Sequence, residues 1–128
     1  MMKRDMDLVR RLLLDLESAP GPLDGSHEVS GYDEDAVAYH LGLLIRSGFA
    51  DGPEPQYTFE NTSKAPDFVL ALRLTPAGHD FVDTMRDETV WKKVKEKTAK
   101  AGSSVALDVI KAVGQMVVRQ MLGLDAGS

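Results

Sequence analysis

A chain of 128 residues, 43% apolar and 27% charged, has the size and balance of a single globular domain, which sets aside fibrous and disordered classes. It has no cysteine, so disulfides, thiolate nucleophiles and cysteine-type zinc sites are excluded, and no stretch approaches the roughly 20 apolar residues of a membrane span. The net charge of −5 is uneven: residues 1–91 hold 8 Lys and Arg against 17 Asp and Glu, while residues 92–128 hold 7 against 3.

The first segment carries acids from Asp5 onward and no apolar leader, which points to a cytoplasmic protein. From Arg4 to Ser18, Met6, Val9, Leu12, Leu13 and Leu16 recur at helical spacing, and Ala19-Pro20-Gly21-Pro22 ends that helix. His27 to Ser30 reads as a short strand. Asp33-Glu34-Asp35 then opens a second helix, to Ser47, whose acidic start suits the positive end of the helix dipole. Helical periodicity turns its Val37, Leu41, Leu44 and Ile45 inward and its Tyr39, Leu43 and Arg46 outward, with Gly48 as the stop.

Beyond the break at residues 51–55, Gln56 to Glu60 and Phe68 to Leu74 predict the two strands of a β-hairpin. Thr75-Pro76 caps and starts another helix, with Phe81, Val82 and Met85 inward and Asp80, Asp83, Asp87 and Glu88 on an acidic outer side. Next comes a lysine-rich helix with an apolar stripe of Val90, Trp91 and Val94. After Ala101 to Ser104 a last helix runs to about Leu122, so rich in apolar residues that it has two faces to bury, as a subunit interface would.

Helix, short strand, helix, hairpin, helix is the order of a winged-helix domain. The expected class is therefore α+β: a winged-helix-like domain with a small β-hairpin wing over residues 1–90, and a basic helix and an apolar helix over residues 91–128, packed as part of it or as a dimerisation extension. The run from Tyr39-His40-Leu41 to Gly48-Phe49 resembles the recognition helix of small winged-helix repressors, and Leu74-Thr75-Pro76-Ala77-Gly78-His79-Asp80-Phe81 resembles the passage from wing into following helix.

These two runs, with the opening Met2 to Arg10 and the segment Trp91-Lys92-Lys93-Val94-Lys95, make the chain similar over nearly its whole length to a bacterial and prophage family of uncharacterised proteins, domain of unknown function 2513. The resemblance implies a cytoplasmic protein often carried on mobile elements, and it transfers no catalytic or binding residue. Two departures from a standard winged helix stand out. The stretch between Pro22 and Tyr32 is too short for a full supporting helix, and Asp33, Glu34 and Asp35 lie at the helix end that would approach phosphates, where carboxylates oppose binding.

Two functional readings use the same residues, DNA-linked regulation first and a protein-binding module as the alternative. In a DNA-linked regulator, Tyr39, His40 and Arg46 face double-stranded DNA while Lys92, Lys93, Lys95, Lys97 and Lys100 hold phosphates. In a protein-binding module acting on a host protein, Tyr39 and Leu43 anchor a partner and the acidic first 91 residues attract a basic one. Under either reading a homodimer through Leu107, Val118 and Leu122 is expected. Enzymatic activity is not expected: His40 and His79-Asp80 lack any nucleophile spacing, phosphate-binding glycine loop or metal-ligand spacing, and nothing calls for a cofactor.

Overall fold

A computed structural model describes residues 3–99 and 105–123. The chain divides into two compact units, Met1–His79 and Asp80–Ser128. This boundary lies inside a helix, whereas the charge changes sign some way further on, at Lys92.

In the first unit, α1 (Met6–Ser18) forms because Leu8, Val9, Leu12, Leu13 and Leu16 make one apolar face, all buried, and because the Asp5 carboxylate accepts the Leu8 N–H at 3.1 Å as its N-cap. β1 (Leu23–Asp24) follows the proline break. α2 (Glu34–Arg46) is capped by Asp33, whose Oδ1 accepts the Ala36 N–H at 2.8 Å; it buries Val37, Ala38, Leu41 and Leu44 and packs against α1. Gly48, at φ 82°, takes the left-handed conformation that ends the helix. β2 (Ala50–Asp51), β3 (Leu70–Ala71) and β4 (Arg73–Leu74) complete the unit.

The strand arrangement corrects the expected hairpin. Gln56 to Glu60 does not pair along its length with Phe68 to Leu74; the two segments share the single bridge Gln56↔Phe68. Asp67 Oδ2 takes the Thr58 N–H at 2.6 Å, and a turn closes from Asn61 N–H to the Thr58 carbonyl, so the outer strand ends where it begins. The pairing capacity of residues 70–74 goes elsewhere. Leu70 and Ala71 pair antiparallel with Asp24 and Leu23, and Arg73 and Leu74 pair antiparallel with Asp51 and Ala50. His27 to Ser30, expected as a strand, is coil and turn; the strand on that side is Leu23–Asp24, where Leu23 has a buried site to fill. Among the described residues no helix lies between β1 and α2.

α3 (Pro76–Asp83) opens on Thr75, whose Oγ1 accepts the Gly78 N–H at 3.0 Å and donates to the Gly48 carbonyl at 2.6 Å. In the second unit, Asp87 Oδ1 caps α4 (Glu88–Ala99) through the N–H groups of Thr89 and Val90, and Val90, Trp91 and Val94 are buried as their spacing predicts. α5 (Leu107–Met121) packs along α4 and buries Leu107, Ile110, Gly114 and Val117. A β-carbon on Gly114 would stand 2.6 Å from Thr84 Oγ1, so the backbone approaches that buried side chain as only glycine allows.

Candidate functional site

The outward face expected of α2 is largely committed to the fold. His40 is buried at 1% exposure, and both ring nitrogens are engaged. Nδ1 lies 2.7 Å from the Ala36 carbonyl, which can only accept, and Nε2 lies 2.8 Å from the Asp5 N–H, which can only donate. Those partners fix a neutral imidazole protonated at Nδ1. Burial holds its pKa below the ordinary histidine value, against the Ala36 bond and the Asp5 charge, which act the other way. His40 thus ties α2 to the start of α1 and is no exposed flank residue. Asp5 also accepts the Tyr32 hydroxyl at 3.0 Å, which closes a small polar network.

Tyr39 is half-buried with its ring edge-on to His40, and Leu43 is half-buried as well. Arg46 is exposed, but Nε pairs with Glu54 Oε1 at 3.1 Å and the guanidinium sits 5.7 Å from the Tyr57 ring centroid. Of the residues expected to read bases, none projects from α2 unengaged. Asp33, Glu34 and Asp35 are exposed at its N-terminal end.

The lysines of α4 stand differently. Lys92, Lys93, Lys95 and Lys97 are all exposed, and Lys95 lies 5.9 Å from the Trp91 ring centroid. Among the described residues Lys92, Lys93 and Lys97 form no ion pair, while the neighbouring acids are taken up locally: Asp83 by Arg86 at 3.1 Å, Asp87 by the α4 cap. Lys100 lies outside the described residues. Of the expected interface residues, Leu107 is buried on the inward face of α5 and so serves the core; Val118 is half-buried, and Leu122 is 65% exposed at the helix end.

A feature that sequence patterning missed lies in the first unit. A groove of about 460 Å³ is lined by Asp24, Glu34, Asp35 and Asp67 together with Pro66 and Phe68. A second cleft of about 340 Å³ shares Asp35, Pro66 and Asp67 with it and adds Glu60, and among the described residues no Lys or Arg lines either. Hydrogen bonds from the Ser26 hydroxyl and N–H hold the Asp24 carboxyl below its usual pKa, and the Thr58 N–H and Asn61 amide do the same for Asp67. Phe68 is 48% exposed, Tyr57 is exposed, and Phe59 is fully exposed nearby in sequence. Alternation over these residues reads as a half-buried strand, so their exposure has no signal in the sequence. Among the described residues no group of three His, Asp or Glu is placed to hold a metal ion.

What this defines is an α+β protein with a carboxylate-rich groove on one unit and a lysine-bearing helix on the other. Residues 3–104 match the family described as "Hypothetical protein (DUF2513)", and the chain belongs to that family. It is also 36% identical over 126 residues, 94% of this chain and 99% of the other, to a protein of Haemophilus influenzae described as "Uncharacterized protein". No solved structure matches it. No helix among the described residues is long and apolar enough to cross a membrane.

Proposed function

We propose that this chain is a non-enzymatic, winged-helix-like protein-binding module of the cytoplasm that receives a basic segment of a partner protein in its acidic groove. The observation that carries the reading is the joining of Asp24, Glu34, Asp35 and Asp67 with the half-exposed Phe68 in one groove, with no cationic residue among the described residues that line it. Carboxylates lining a groove steer a basic segment and favour its orientation, and an aromatic ring in the same lining can receive the guanidinium plane of an arginine. The winged-helix part of the proposal is supported by residues 70–74, whose two halves pair with β1 and with β2 as a returning wing strand does. In the mobile-element setting that the family resemblance implies, the partner is a host protein.

The test is fluorescence anisotropy with a labelled nona-arginine peptide. Salt-sensitive binding is expected, weakened several-fold by Asp67→Asn and also by Phe68→Ala, which leaves the net charge unchanged. Binding that ignores Phe68→Ala is diffuse attraction to an acidic protein, and it would remove the groove from the proposal.

DNA-linked regulation is the second reading, favoured by the unpaired, exposed Lys92, Lys93 and Lys97. These can hold phosphates but supply no base contact, so the expected binding to a mixed-sequence duplex is non-specific and confined to low salt. Retention of a duplex at near-physiological salt would reverse the order of the two readings.

A further inference from the structure

We infer that α5 pairs antiparallel with α5 of a second copy of this chain, through the face opposite its buried one. Leu107, Ile110, Gly114 and Val117 occupy the inward side. On the other side Val109 is 51% and Met116 43% exposed, and Ala112 is exposed between them. Their spacings of three and four residues align them in one stripe on the helix surface.

The choice of a second copy, and of its direction, comes from the charges beside that stripe. Asp108 and Arg119 lie on the same edge of it, within about 20° of each other around the axis and about 16 Å apart along it. Both are exposed, and among the described residues neither forms an ion pair. Arg119 shares a shallow cleft with Asp80 and Asp83 without an ion pair to either. Gln115, between Asp108 and Arg119 along the helix, carries no charge.

In an antiparallel pair, residues on one edge of a helix meet the same edge of its partner. With Val109 set against Met116 of the second copy, Asp108 comes within about 3 Å, along the axis, of the second copy's Arg119, and by symmetry the contact occurs twice. Helical side chains lean toward the N-terminus, and in this register that lean brings the carboxylate and guanidinium toward each other. In a parallel pair one edge of a helix meets the opposite edge of its partner, so Asp108 and Arg119 would not face each other. The stripe is short, so the association is weak and concentration-dependent, below the size of a permanent interface. This inference is independent of the groove in the first unit and of what it binds.

Sedimentation velocity over a wide concentration range tests it, with far-UV circular dichroism confirming unchanged helix content in each variant. The wild-type chain is expected to pass from monomer to dimer. Asp108→Arg, and separately Arg119→Asp, should raise the dissociation constant about tenfold, since each turns two attractive contacts into repulsive ones. The double variant Asp108→Arg/Arg119→Asp restores complementarity only in the antiparallel arrangement and should return to within about twofold of the wild type. A wild-type chain that stays monomeric throughout overturns the inference. So does a dimer indifferent to Asp108→Arg, or a double variant no better than the single ones.

Discussion

His40 shows how a residue's chemistry is decided by partners distant in sequence. Its neighbours on α2 are ordinary, and an imidazole near the outward face of an amphipathic helix reads as available for contact. The Asp5 N–H, 35 positions earlier, makes it an acceptor at Nε2 and removes it from the surface. This arrangement tolerates only the neutral ring, because a proton on Nε2 would face an N–H donor. The folded pKa is lowered, so above the unfolded value of about 6.5 the ring is neutral in both states and its contribution is intact. As pH falls below 6.5 the unfolded chain takes up the proton first, and stability is lost until the lower folded pKa has been passed. The urea midpoint is therefore expected to drop between pH 7.5 and 5.5, and His40→Ala should flatten that dependence while costing about 2 kcal/mol at pH 7.5. By contrast Asp33, Gly48 and Thr75 are legible from sequence alone, because caps and stops use hydrogen bonds within a few residues.

At the scale of elements, the helices follow their apolar periods closely and the strands do not. α1, α2, α4 and α5 each bury a face that spacing marks out, since a helix satisfies its own backbone and needs only a surface to lie against. A strand must find another strand, and local pattern does not say which. Residues 68–74 were open to pairing with 56–60 through a short connection, yet β1 and β2 take that segment and leave the Gln56↔Phe68 bridge. Two substitutions probe the elements. Thr75→Ala removes both the cap of α3 and the bond to the Gly48 carbonyl and should cost about 1–2 kcal/mol in urea denaturation. Gly114→Ala gains about 1 kcal/mol of helix propensity but drives a methyl against Thr84, so a net loss of about 1–2 kcal/mol is expected, read as a lower melting temperature.

For the molecule as a whole, charge is partitioned in a way that predicts its behaviour toward polyanions. The acidic residues of the first unit repel a duplex, and attraction comes from α4, where four described lysines are exposed. If only these contact phosphates, the slope of log affinity against log salt should be no steeper than about −4, and replacing Lys92 and Lys93 by Gln should reduce its magnitude by about 2, measured by anisotropy with a mixed-sequence duplex. The sequence by itself determined the α+β class, the helices with the caps at Asp33 and Thr75, and the family, because these depend on periodicity, on hydrogen bonds between near neighbours and on motif wording spread along the chain. The tertiary structure alone decided that His40 is buried, that residues 70–74 serve two partner strands, and that four carboxylates from three separate segments line one groove with Phe68. Each of those outcomes depends on contacts between residues far apart in the chain, and such contacts leave no mark in the local pattern of either segment.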